Sequence, residues 1–192
     1  MFTGIVQELG VVSSIHQSPN SVRVTIAANK TLKGLKRGGS IAVNGVCLTA
    51  TIISKTSFSA DLLPETLRDT NVGSLVKGDK VNLESAMRLQ DRINGHLVSG
   101  HVEGVGVIQE RKEIGNTLSL KISIPKTIGK YCILKGSIAV DGVSLTIQSF
   151  YRGGITVAII PSTAKMTTLG IKEVGAFVNL ESDFIRKYVQ RM

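Results

Sequence analysis

Apolar and polar positions alternate over short stretches along this chain. NSVRVTIAA, GSIAVNGV, VCLTATII, SFSADLL and DKVNLES each alternate or run apolar over about five to eight residues, are rich in Val, Ile and Thr, and are bounded by Gly, Asn and Asp. That is the pattern of half-buried antiparallel strands. Helical signals are few. PETLRDTNVG and PSTAKMTTLG each start a turn or short helix, with Pro64 and Pro161 at the first position, where a missing N–H costs nothing. The tail SDFIRKYVQRM offers a cap at Ser182 or Asp183. Its apolar residues Phe184, Ile185, Tyr188, Val189 and Met192 follow at helical spacing, so it can cover one apolar stripe.

The strand pattern occurs twice. GSIAVNGVCLTA from Gly39 returns as GSIAVDGVSLTI from Gly136, an offset of 97 with nine of twelve positions identical. The same offset carries FSADLLPETLRDTNVG onto ITVAIIPSTAKMTTLG, and GDKVNLES onto GAFVNLES. Near the start, TGIVQELGVV at Thr3 pairs with SGHVEGVGVI at Ser99 at an offset of 96. Steady spacing means two copies of one unit, joined through a polar loop, RLQDRING, between Met87 and His96. Each copy is expected to close into a six-stranded antiparallel Greek-key barrel, because closure removes the free edges of a small sheet. The fold class is all-β: barrels at 1–96 and 97–181, then a short C-terminal α-helix at 182–192. A unit this small is marginal alone, so the barrels should pack on each other or on a neighbouring chain.

Composition narrows the function. The chain has 192 residues, 42% apolar and 19% charged, with 4 Pro and 20 Gly, a globular mix. No apolar run approaches the roughly 20 residues that cross a bilayer. MFTGIVQELG lacks the basic and apolar regions of a secretory signal, so a cytoplasmic location is expected. Cys47 and Cys132 are too few for a disulfide framework and lack metal-ligand spacing. A net charge of +9 raises the question of nucleic acid. The basic residues are scattered, however, in singles or pairs such as Lys36-Arg37, Arg111-Lys112 and Arg186-Lys187, and aromatics are only 4%. Solvated surface charge is the better reading, and a basic nucleic-acid module is the distant rival.

Candidate chemistry lies on the repeated strand. Beyond the Asn44-Gly45 turn signal, alternation puts Cys47, Thr49 and Thr51 on one face and Val46, Leu48 and Ala50 on the other. After Asp141-Gly142, Ser144 and Thr146 share the polar face, with Val143, Leu145 and Ile147 inside. Cys47 thus corresponds to Ser144. Such a row suits contact with a heteroaromatic ligand; it equally suits a half-buried strand whose Thr serves β propensity and whose Cys is a small hydrophobe. His96 and His101 are five apart and point to opposite strand faces, which argues against joint metal ligation. His101 is a candidate proton-transfer residue, ligand contact or plain hydrogen-bonding residue, and its counterpart in the first copy is Ile5. Neither a Gly-rich phosphate loop nor a Rossmann context occurs.

Taken together and in order, MFTGIV, SIAVNGVCLTAT, PETLRDTN, VNLE, NGHLVSGH, KGSIAVDGVSLT and IPSTAKMTTLG resemble the riboflavin synthases of the alpha-chain type over nearly the whole chain. The resemblance implies a dismutation, without metal or cofactor, of two molecules of 6,7-dimethyl-8-ribityllumazine. It places Gly4, Ile5, Val6, Ser40, Cys47, Leu48, Thr49, Asp61, Leu62, Leu63, Pro64, Glu65 and Thr66 around a first ligand. It places Gly100, His101, Val102, Lys135, Ser144, Leu145, Thr146, Ile159, Ile160, Pro161, Ser162, Thr163 and Ala164 around a second. Cys47, His101, Ser144 and Thr146 are the implied catalytic set, with the last three at the donor ring and Cys47 at the acceptor. Similar proteins are homotrimers whose productive site joins barrels of two subunits, and lumazine synthase is a further partner the resemblance suggests. The alternative is a lumazine- or flavin-carrying protein of the same fold without catalysis. Two features differ from that pattern. The second copy reads PSTA where the first reads PETL, and the tail stops at Met192 where relatives commonly continue into a longer helix.

Overall fold

The computed structural model describes residues 1–18 and 21–190; Asn20 at the head of NSVRVTIAA and Met192 in the tail stripe lie outside them. The first copy comprises β1 (Glu8–Ser18), β2 (Ser21–Ala27), β3 (Ser40–Val43), β4 (Val46–Ile53), β5 (Ser57–Leu62), α1 (Pro64–Asp69), a 3-10 turn (Asn71–Ser74) and β6 (Lys80–Ser85). Its strands close in the order β1-β2-β5-β4-β3-β6. Since β6 returns to lie beside β3 of the β3-β4-β5 meander, the path is a Greek key. The second copy repeats it with β7 (Gly104–Ile114), β8 (Thr117–Ser123), α2 (Lys126–Gly129), β9 (Ser137–Val140), β10 (Val143–Tyr151), β11 (Gly154–Ile159), α3 (Pro161–Met166), a 3-10 turn (Thr168–Gly170) and β12 (Phe177–Ser182). That barrel closes as β10-β11-β8-β7-β12-β9. Register shifts also recur at matching places, after Ala50 in β4 and after Ile147 in β10, where a bulge bends the strand around the barrel.

Alternation along each strand fills each core. Val46, Leu48 and Ala50 point inward with Ile26, Phe58 and Leu83, as do Val143, Leu145 and Ile147 with Ile122, Ile155 and Leu180. A third, smaller cluster of Phe2, Ala42, Val98 and Ala139 lies between the barrels. Phe2 and Val98 form an antiparallel bridge there, each N–H donating to the other's carbonyl at 2.8 and 3.0 Å. Asn44-Gly45 and Asp141-Gly142 are tight turns with both central φ positive, 45° and 79° in one and 46° and 76° in the other. They abut: a Cβ on Gly45 would lie 2.7 Å from the Gly142 nitrogen.

A buried polar network joins the copies with near two-fold symmetry. Asn82 Nδ2 donates to the Asp141 carbonyl and Asn179 Nδ2 to the Asn44 carbonyl, both at 2.9 Å. The Asn71 and Thr168 amides donate to Asn179 Oδ1 and Asn82 Oδ1, both at 2.7 Å. Symmetry breaks where Asp141 replaces Asn44. The buried carboxylate pairs with Lys172 Nζ at 2.6 Å, and the residue matching Lys172 in the first copy is Leu75.

The tail differs from expectation. Asp183 caps α4 (Phe184–Val189) by accepting from the Ile185 N–H at 3.0 Å, but Ile185, Tyr188 and Val189 are exposed rather than covering an apolar stripe. Six residues make too short a helix to lie along a barrel, and polar contacts anchor it: Lys187 Nζ to Glu103 at 2.7 Å and Gln190 Nε2 to the Lys130 carbonyl at 3.1 Å. Among the described residues no helix is long and apolar enough to cross a membrane.

Candidate active site

Cys47 and Thr49 face outward from β4, half-buried and exposed respectively, and Ser144 and Thr146 occupy the same two environments on β10. Ser40 lies across the ladder from Thr49, and Ser137 across from Thr146. Each strand's polar edge is met by a segment that precedes the other barrel. The Cys47 N–H donates to the Gly100 carbonyl and the Ser144 N–H to the Gly4 carbonyl, both at 2.8 Å. A Cβ on Gly100 would lie 2.6 Å from Cys47 Cβ, and one on Gly4 would lie 2.6 Å from Ser144 Cβ. Both glycines also have φ well above zero, 84° and 75°, so glycine alone fits without strain.

This crossing corrects the grouping expected from the sequence. Gly4 and Val6 belong with Ser144, since Val6 packs on the second core, while Gly100 and Val102 belong with Cys47, since Val102 packs on the first. His101 therefore stands beside the Cys47 strand, not the Ser144 strand. The physical cause is a pair of buried carboxylates. Glu84 on β6 accepts from Thr3 N, Thr3 Oγ1 and Gly4 N at 2.7 to 3.1 Å, and Glu181 on β12 accepts from Ser99 N, Ser99 Oγ and Gly100 N at 2.6 to 3.0 Å. Burial pushes both carboxyl groups above the ordinary range against those hydrogen bonds. They bolt each segment in the cleft between barrels, from which it reaches the opposite strand.

The remaining expected residues fall into three sets. Leu48, Leu62, Leu145 and Ile159 point into the cores and offer only backbone to a ligand. Ile5, Leu63, Pro64, Glu65, Ile160, Pro161 and Ser162 are exposed at the rims, with Thr66, Thr163 and Ala164 half-buried in the first turns of α1 and α3. Asp61 is tied to Arg23 by two bonds of 2.6 and 3.0 Å, which hold its carboxyl below the usual range. Lys135, in the left-handed region at φ 61°, sends Nζ to Gln148 Oε1 at 2.7 Å.

Concave surface lies beside several of the expected residues, though none of it is lined by β4 or β10. A hollow of about 470 Å³ opens beside His101, Ser99, Tyr131, Phe184 and Tyr188. Another of about 540 Å³ is bounded by Ile159, Pro161, Ala164 and Arg111. A third, of about 500 Å³, joins Ser40 to Gln7 and the Lys30, Lys33 and Lys36 side chains. Cys132, by contrast, is a half-buried thiol that partial burial and the nearby Glu103 charge push up to about 11, and no part of either polar edge. Among the described residues no cluster of His, Cys, Asp or Glu has the arrangement of a metal site.

Four residues that carry this geometry are not evident from the pattern. Phe2 reads as a terminal hydrophobe but is fully buried between the barrels, with Cys47 packed against its cluster. Glu84 and Glu181 are buried, and the repeated VNLES is the available signal. His96 is buried with Nδ1 2.7 Å from Ser144 Oγ, a contact 48 residues apart that no spacing reveals.

The lumazine binding domain family matches residues 3–86 and 99–183, once in each copy of the repeat. Over its whole length the chain is 44% identical to a riboflavin synthase of Actinobacillus pleuropneumoniae, of which it covers 89%. It is 42% identical to one of Mycobacterium tuberculosis, of which it covers 98%. Among solved structures it is similar to LumP complexed with 6,7-dimethyl-8-(1'-D-ribityl) lumazine, with TM-score 0.85 and 28% identity over 95% of this chain and 99% of that one. LumP complexed with riboflavin gives TM-score 0.88 with the same identity and coverage. The chain belongs to the lumazine binding domain family and, within it, to the riboflavin synthase group of transferase enzymes.

Proposed function

We propose that the chain converts two molecules of 6,7-dimethyl-8-ribityllumazine into riboflavin and 5-amino-6-(ribitylamino)pyrimidinedione. One lumazine gives up a four-carbon unit and the other gains it, so atoms and electrons balance within the pair. The demand on the protein is positional: two flat rings must be held face to face in opposite senses, which replaces a bimolecular encounter with an effectively intramolecular one. The observation that carries this reading is the matched pair of outward strand edges, Cys47 and Thr49 against Ser144 and Thr146, each completed by a glycine carbonyl from the other copy.

The edges match in backbone and differ in chemistry, as two rings with different tasks require. Ser144 and Thr146 orient the donor, whose methyl at ring position seven loses a proton. Cys47 serves the acceptor as nucleophile or ring contact, a place a water or ribityl hydroxyl can also fill. His101, exposed at the mouth of the Cys47 edge, is suited to move protons between rings brought together there. The exposed Ile185, Tyr188 and Val189 support self-association, and we propose a homotrimer in which edges of neighbouring chains face each other. Sedimentation at micromolar concentration tests it, and a monomer contradicts it.

The test of the activity is incubation with the lumazine alone, watching for the flavin absorption band. Flavin formation supports the reading. Tight lumazine binding without turnover would favour the carrier alternative, for which the likeness to LumP is the relevant observation. Cys47→Ala and His101→Ala are expected to lower the single-turnover rate more than lumazine affinity; unchanged rates in folded variants remove their assigned roles.

A further inference from the structure

The two polar edges differ in one respect that their own residues do not supply. Ser144 Oγ lies 2.7 Å from Nδ1 of His96, whose ring is buried. The His96 N–H donates to the Thr3 carbonyl at 3.1 Å, and Gly95 lies so close that a Cβ there would be 2.9 Å from Ser144 Oγ. The linker is thus pressed flat on the serine. Cys47 is backed by Phe2 and Gly100, both apolar.

The ring's protonation follows from its surroundings. Burial lowers its proton affinity more than the charge of Asp183 raises it, so the imidazole is neutral near pH 7. Nε2 is buried without a hydrogen-bond partner. An orphaned buried N–H is rarer than an under-used acceptor, so the single proton belongs on Nδ1. The Nδ1–H then donates to Ser144 Oγ, leaving the serine's own proton free to point elsewhere.

We infer that His96 is a positioning residue of the Ser144 pocket, holding the serine oxygen as acceptor so that its hydroxyl proton is presented to a carbonyl oxygen or ring nitrogen of the bound lumazine. This rests on the activity proposed above. It also makes the second edge the one with a fixed donor, while the Cys47 edge relies on packing.

The test is a double-mutant cycle on the full chain, reading kcat and KM for the lumazine. His96→Ala is expected to lower kcat about tenfold, the scale of one oriented hydrogen bond, with KM changed less than about threefold. His96→Asn, which can place an amide N–H near the position of Nδ1, should recover most of the rate. Adding His96→Ala to Ser144→Ala should cost little more than Ser144→Ala alone. Losses that multiply, a Ser144→Ala variant as fast as the parent, or a folded His96→Asn as slow as His96→Ala each overturn the inference. Should His96→Ala not fold, nitrogen NMR of His96 still decides: protonated Nδ1 and bare Nε2 are expected, with the Nδ1 signal moving in Ser144→Ala. The reverse tautomer, or no movement, overturns the assignment. A parent protein that makes no flavin sinks the proposed activity instead, and the NMR measurement still judges the His96–Ser144 bond.

Discussion

A methyl group on Gly4 or Gly100 would meet Ser144 or Cys47 at 2.6 Å, in a backbone conformation that side chains rarely adopt. Gly100→Ala is therefore expected to cost about 1–3 kcal/mol in thermal or denaturant unfolding. It should also reduce flavin formation from the lumazine far more than a surface change such as Lys55→Ala. His96 adds a pH dependence whose sign follows from its environment. Burial lowers its pKa in the folded chain, so on acidification the unfolded chain takes up this proton first. The stability it lends is complete above about pH 6.5, the ordinary histidine value, and drains away as pH falls through the lower folded value. Denaturant titrations between pH 7.5 and 5 should show that loss, and His96→Asn should remove part of it. Single residues were also where the sequence was least legible. Alternation identified Cys47, Thr49, Ser144 and Thr146 on their polar faces because strand period is a local property. It does not reach the contacts of His96 with Ser144 or of Phe2 with Val98, which join distant parts of the chain.

At the scale of elements, periodicity gives five strands of each copy, all except β1 and β7, and Asn-Gly and Asp-Gly give the turns, since local chemistry selects both. Two features did not follow. The tail helix was expected to cover apolar surface and instead exposes it, because six residues anchored by Lys187 and Gln190 cannot lie along a barrel. The resemblance groups Gly4 with Cys47 and Gly100 with Ser144, whereas the backbone hydrogen bonds join Gly4 to Ser144 and Gly100 to Cys47, because crossing depends on Glu84 and Glu181, and a strand pattern cannot say which chain end a carboxylate grips. Those two carboxylates make a prediction of opposite sign to His96. Their folded pKa values are raised by burial, so their protonated forms favour the native state, a contribution complete below about pH 4.5 and lost as pH rises through the raised values. Replacing either with Gln should flatten stability across that window in denaturant titrations. Glu181→Ala, which removes all three grips on Ser99 and Gly100, should increase amide exchange in residues 98–102 more than in the barrel strands.

For the whole molecule, the decisive contacts lie where the copies meet. Asp141 is fully buried and its charge is matched by Lys172. Removing one partner of a buried pair strands the other, so Lys172→Leu is expected to cost about 3–5 kcal/mol in equilibrium unfolding. Combining it with Asp141→Asn, which copies the Asn44 and Leu75 of the first repeat, should restore most of that loss. The network of Asn44, Asn71, Asn82, Asn179 and Thr168 also predicts that the barrels melt together, in a single calorimetric transition, and that Asn82→Ala with Asn179→Ala separates it into two.

Because Gly4 reaches the Ser144 edge and Gly100 the Cys47 edge, neither repeat completes its own polar edge. Cutting the chain at the linker would leave a half with one orphaned arm and one bare strand. Such a half has a ready mate in its own twin, whose arm can lie where the missing one did. A fragment ending near residue 95 should accordingly be recovered as a symmetric pair, bearing two identical clefts in place of two that differ.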